Sequence, residues 1–180
     1  DLLFTETWSR ELIYEPFTQF TEQEYNGKYL NIDKKGYRKS SNNYELQKGI
    51  HKKNIFMIGG STTFGYGVKD SNTISSFLQN DLRKRVQEEI NVYNFGRSFY
   101  YSSQERILIQ KLIMEKYIPG IVIFIDGLNE FIHKNDEPIY SSTIRNSFFS
   151  QKKKPEFDLL SLFNNTSIKR ALDYINKRSS

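Results

Sequence analysis

Apolar residues are spaced differently in different parts of this chain, and each spacing predicts a different element. Residues 1–53 are rich in Tyr, Phe, Asn and Lys and carry no long helical period. Within them "GKYLNIDKKGYRKS" reads as two short extended pieces around an Asp-Lys-Lys-Gly turn, so an irregular, partly β N-terminal arm is expected. From Asn54 the pattern changes. "NIFMIG" is a short continuous apolar run, the mark of a strand buried on both faces. Between Thr73 and Ile90 the apolar residues Ile74, Phe77, Leu78, Leu82, Val86 and Ile90 recur at steps of three and four, which predicts an amphipathic helix. "INVYNFG" then predicts a second strand, "SSQERILIQKLIMEKY" a second helix and "IVIFID" a third strand. Ser102, three residues before Glu105, would form a capping box at the start of the second helix, and "IPG" would end it.

Two successive strand–helix–strand units predict a parallel sheet with right-handed crossovers and helices on its faces. Beyond Gly127 the pattern weakens to a polar loop from Lys134 to Pro155, followed by "FDLLSLF" and "SIKRALDYINKR" as helical pieces. The expected organisation is an arm, 1–53, packed on one α/β domain, 54–180; the 180 residues suffice for a single core. No apolar run approaches the roughly 20 residues that cross a bilayer. The start at Asp1 rather than methionine suggests that an upstream signal or anchor segment has been cut away.

Composition narrows the chemistry. Cysteine is absent, which excludes disulfides and thiolate metal sites. A net charge of +5 and a pI near 9.2 would permit attraction to phosphate or anionic sugar. The densest basic run, Lys152 to Lys154, sits beside Pro155 and reads as a solvated connection, and no nucleic-acid-binding module is recognisable. Neither nucleic acid nor a cofactor is expected.

In an open parallel sheet, ligands bind where the carboxyl ends of the strands meet their loops. The three predicted strands end in Gly59-Gly60-Ser61, Asn94-Phe95-Gly96 and Asp126-Gly127-Leu128-Asn129-Glu130, all on one sheet edge. A hydroxyl, a backbone N–H and a carboxamide would converge there, the parts that acyl transfer uses for attack and for binding an oxyanion. The trio "GGSTTFG", "NFG" and "DGLNE" resembles the first three blocks of the SGNH (GDSL-type) hydrolase family. That resemblance covers about Asn54 to Glu130. It implies a flavodoxin-like three-layer α/β/α fold, with Ser61 as nucleophile and Gly96 and Asn129 as oxyanion donors. The arm residues Asn31, Gly36 and Arg38 are similar to the segment before the nucleophile in some cell-surface members, which points to the cell envelope. The implied activity is that of a serine esterase acting through a Ser61 acyl-enzyme on an acyl ester, such as an acetyl ester, of a carbohydrate or lipid.

The family's last block, Asp-x-x-His, which supplies the general base, has no counterpart here. The chain holds two histidines, His51 and His133, and neither stands in that context. The chain is then a fragment whose base lies further on, or a relative that has kept the pocket and lost the base. A non-catalytic binding module and a flavodoxin-like phosphate or flavin binder, the latter suggested by the Ser/Thr-rich turn "GSTTFG", are the alternative functions. Thr62 and Thr63 are expected to bond local backbone, and Asp126 and Glu130 to serve as structural hydrogen-bonding groups rather than metal ligands. The cluster Tyr93, Phe99, Tyr100 and Tyr101 could line a pocket or fill the core.

Overall fold

A helix that the arm's composition does not predict opens the chain: α1, Leu2–Trp8. The computed structural model describes residues 2–40 and 45–131 and the backbone of 133–134 and 137–138, all within the unit Asp1–Ser141. The expected C-terminal helical pieces, the Lys152–Lys154 run and most of the polar loop lie outside the described residues. After α1 come an antiparallel hairpin, β1 (Leu12–Glu15) and β2 (Gln19–Glu22), and a second short pair, β3 (Tyr25–Asn26) and β4 (Asn31–Ile32). The Asp33–Gly36 turn follows as expected, closed by the Gly36 N–H donating to the Asp33 carbonyl at 2.7 Å.

The remainder is mixed α/β. Strand β5 (Gly49–Gly59) leads into the one-turn helix α2 (Ser61–Phe64), then α3 (Ile74–Arg85), β6 (Asn91–Asn94), α4 (Ser102–Met114), β7 (Tyr117–Ile125) and α5 (Leu128–Phe131). The three long strands form a parallel sheet in the order β6-β5-β7, flanked by helices. Asn54 to Gly59 are buried throughout, as a central strand covered on both faces requires. On one face Ile55, Met57 and Val92 pack with Leu78 and Leu82 of α3. Elsewhere in the core Phe56, Tyr93, Tyr37 and Phe95 meet as tilted and edge-to-face rings 4.9–5.7 Å apart, so Tyr93 belongs to the core.

Two expected elements differ in detail, each for a physical reason. Helix α3 ends at Arg85 and turns its small polar residues inward: Ser75, Ser76 and Gln79 are buried, whereas Ile74 and Phe77 are exposed. Ser76 donates to the Asp70 carbonyl, Ser75 pairs with the Thr73 hydroxyl, and the Gln79 side chain bonds the Ile90 carbonyl and the Val92 N–H, fixing where β6 begins. "IPG" does not end α4; the helix stops at Met114 and Lys116 takes a left-handed φ of 72°, so the strand starts at Tyr117 with Pro119 inside it. Proline is tolerated because β7 has β5 as its single strand partner among the described residues, with a register shift between His51 and Ile55.

The arm is joined to the sheet by charges that are almost fully buried. Glu6 of α1 accepts the backbone N–H groups of Lys28, Tyr29 and Leu30 at 2.8–3.1 Å. Arg97, after β6, bonds Glu15 and the Tyr100 hydroxyl, and that hydroxyl donates to the Phe20 carbonyl at 2.7 Å. Arg38, with no solvent exposure, pairs with Asp70 at 2.8 Å and donates to the carbonyls of Phe64, Gly65 and Val68 at 2.6–3.0 Å. Its own N–H donates to the Asn94 carbonyl at 2.8 Å. One guanidinium therefore closes the loop that leaves α2 while its backbone borders β6. Arg38→Met would remove the guanidinium from Asp70 and from three carbonyls, two of which, those of Gly65 and Val68, have no other side-chain donor among the described residues. Unfolding in urea should show a loss of about 3–5 kcal/mol, the range for removing one partner of a buried pair.

Candidate functional site

The parallel registers bring the three strand ends to one edge: Met57 lies opposite Asn94, and Gly59 opposite Ile125. Ser61 begins α2 immediately after β5, partly exposed, and its hydroxyl makes no hydrogen bond to a described residue. The turn is tight because its surroundings come close. A Cβ on Gly60 would lie 2.6 Å from Asn129 Nδ2, and one on Gly96 would lie 2.3 Å from Phe64 N. Glycine is thus required at both positions by the near approach of neighbouring atoms. Asn129, on α5, is held with its Nδ2 donating to the Tyr100 carbonyl at 2.7 Å. Phe99, at a left-handed φ of 63°, precedes that carbonyl in the bend after β6.

The structure thus brings the Asn129 carboxamide against the turn that carries Ser61. Gly96 is also beside that turn, but its buried N–H is occupied, donating to Asn94 Oδ1 at 2.9 Å. The same Asn94 side chain donates through Nδ2 to the carbonyls of Thr63 at 2.8 Å and Phe64 at 3.3 Å, so one carboxamide fastens the end of β6 to α2. Neither threonine hydroxyl of the turn meets the expectation of local bonding: Thr62 is exposed, and Thr63 Oγ1 is buried without a partner among the described residues. Thr63 fills space, since a Cβ on Gly59 would lie 2.2 Å from its hydroxyl oxygen.

The histidines do not complete the site. His51 sits eight residues before Gly59 on β5, about 26 Å away at the strand rise, and its Nε2 faces the Lys48 carbonyl at 3.2 Å. The side chain of His133 lies outside the described residues. No group of three or more His, Cys, Asp or Glu among the described residues could hold a metal ion.

Carboxyl groups behind the third strand end are arranged differently from the sequence expectation. Tyr101 is the N-cap of α4, and no capping box forms. Ser102 instead donates both its N–H and its hydroxyl to Glu130, which ties the start of α4 to α5 and agrees with a structural role for Glu130. Glu105 is fully buried, and no N–H or hydroxyl donor among the described residues reaches either of its oxygens. Burial, then a hydrogen bond to Asp126 and the nearby charges of Asp126 and Glu130, push its carboxyl up to about 9. The raised value favours the protonated acid, the form in which Glu105 can donate to Asp126, the residue that follows β7. Sequence spacing assigned Glu105 to a capping box with Ser102; the signal that could have marked it as buried is an acid in step with Leu108 and Leu112, both buried.

Comparison with protein-family models and with curated proteins finds no match for this chain. Fold and strand-end geometry define a mixed α/β protein with a three-stranded parallel sheet.

Glu105 makes stability depend on pH with a definite sign. A carboxyl raised from 4.5 to about 9 on folding binds more protons in the folded chain. Its contribution is fully present below about pH 4.5 and is lost as pH rises to about 9. Glu105→Gln keeps a donor for Asp126 and removes the titration. Its Tm should exceed that of the natural chain by on the order of 5 °C at pH 8, and the difference should vanish near pH 4.5. Equal Tm values at both pH values would show that Glu105 is ionised when folded.

Proposed function

We propose that this chain is a serine esterase of the SGNH (GDSL) type, on a flavodoxin-like α/β/α scaffold, cleaving an acyl ester of a carbohydrate or lipid. The observation that carries the reading is the meeting of two strand ends: Asn129 Nδ2 lies within van der Waals reach of Gly60, the residue before Ser61. A preorganised carboxamide donor beside a serine hydroxyl that bonds no described residue supplies two of the parts that acyl transfer uses, an oxyanion donor and a nucleophile.

On this reading Ser61 Oγ attacks the ester carbonyl and its proton passes to a base. The oxyanion accepts from Asn129 Nδ2, whose second hydrogen remains after the bond to Tyr100, and from N–H groups of the first turn of α2, which lack partners within the helix. Gly96 would join them only if its N–H left Asn94. Collapse of the tetrahedral carbon expels the alcohol with a proton, leaving an acyl-Ser61, and water or another hydroxyl then takes the acyl group. No hydrogen-bonded base reaches Ser61 from the described residues, so the reaction requires one from outside them. That same observation favours, as a second reading, a binding module that uses the pocket without turnover. The flavin or phosphate alternative gains nothing from the space beside Ser61, which no charged side chain among the described residues lines.

Hydrolysis of p-nitrophenyl acetate by the full chain tests the first reading. Ser61→Ala should abolish it, and Asn129→Ala should lower kcat on the order of 100-fold with the fold retained. Rates equal in the natural chain and Ser61→Ala would remove Ser61 from any chemistry.

A further inference from the structure

Ser61 opens onto a groove that the strand ends do not explain. Its volume is about 390 Å³, and it runs between Trp8 at the end of α1, Ser61 and Thr62 of α2, Tyr66 and Val68, and Ile74 at the start of α3. Among the described residues, neither Gly96 nor Asn129 lines it. The volume is in the range of sites for small ligands.

One wall is aromatic. The Trp8 ring is half exposed, with its centroid 4.7 Å from Tyr66 and 5.7 Å from Phe4. Tyr66 is backed in turn by Phe64 at 4.8 Å and by the Arg10 guanidinium, whose carbon lies 5.6 Å from its ring centroid. The indole is therefore a supported platform, and Tyr66 is held from behind. The other wall supplies uncharged hydrogen-bonding groups: the hydroxyls of Ser61 and Thr62, and the Asn72 carboxamide, whose Oδ1 accepts from Ser71 at 3.1 Å while its amide hydrogens have no partner among the described residues.

We propose that this groove binds an uncharged pyranose unit of the substrate, with one face of the ring stacked on Trp8. The proposal rests on the esterase reading for what happens at Ser61, but the binding itself does not require turnover. A pyranose has flat patches of C–H groups and an equator of hydroxyls, which matches an aromatic wall facing hydroxyl and amide groups. A hydrocarbon chain would leave the polar wall without partners, which costs binding energy. A phosphate or uronic acid would meet no cationic side chain in the lining. The sugar is thus the alcohol part of the ester, and it places a hydroxyl-borne acyl group over Ser61.

The chain contains a single tryptophan, so its fluorescence reports on this groove alone. The Ser61→Ala full chain would be titrated with chitotetraose, cellotetraose and maltotetraose, and separately with decanoate, trigalacturonate and inorganic phosphate. A saturable change in Trp8 emission with at least one neutral oligosaccharide, weakened tenfold or more in Tyr66→Ala of unchanged circular dichroism, is the expected result. Calorimetry on Trp8→Ala should show the same loss of affinity. No saturable response to any neutral oligosaccharide, or a response confined to decanoate, trigalacturonate or phosphate, would overturn the proposal. The p-nitrophenyl acetate assay separates the two readings. Sugar binding with no Ser61-dependent hydrolysis would retain the groove and discard the esterase, and Ser61-dependent hydrolysis with no sugar binding would do the reverse.

Discussion

The guanidinium of Arg38 is the constraint on which the site depends. A loop leaving a one-turn helix exposes carbonyl oxygens that the helix itself cannot satisfy, and α2, at Ser61–Phe64, is too short to hold its own shape. Arg38 supplies three of those oxygens with donors and takes its counter-charge from Asp70, which Asn31 in turn bonds at 2.8 Å. Its planar fork is suited to this in a way that a lysine ammonium is not, because several donors must point at fixed acceptors at once. The N-terminal arm is therefore part of the candidate site's framework. It braces the turn from one side, as Asn94 fastens it from the other.

A second constraint acts from behind the sheet edge. Glu105 is fully buried, and burial together with the nearby Asp126 and Glu130 carboxyls raises its pKa, so the neutral acid is the favoured form. Glu130 occupies the adjacent position and bonds Ser102, so two acids near each other have separate tasks. Through Ser102, Glu130 ties the start of α4 to α5, the helix that carries Asn129. The carboxamide's own bond to Tyr100 completes the arrangement. The groove along Trp8 adds a surface that neither constraint creates, because it forms where α1 of the arm approaches the loop after α2.

Much of the α/β layout was legible in the chain. Continuous apolar runs ending in glycine marked the three strands, and their alternation with helical periods was enough to require a parallel sheet with all strand ends on one edge. The boundaries were less legible. Pro119 looked like a helix stop and lies inside a strand, since an edge position tolerates what a central one does not. The inward face of α3 was legible in part: Leu78 and Leu82 pack on the core, but Ser75, Ser76 and Gln79 were missed because they are polar by type, yet they are small or able to bond backbone groups. Helix α1 was not seen because seven residues carry too few turns for a period to stand out.

By itself the sequence determined which residues could meet at the strand ends, because chain order and strand direction put Ser61, Gly96 and Asn129 at the same edge whatever packs around them. Only the tertiary structure decided what those residues have available. It engaged the Gly96 N–H with Asn94, pushed the Glu105 carboxyl up by burial, and laid Trp8 beside Ser61, 53 positions further along the chain. The physical reason is that periodicity reports the face a residue turns inward. Hydrogen-bond occupancy, protonation and the walls of a groove depend instead on atoms contributed by elements far away in the chain.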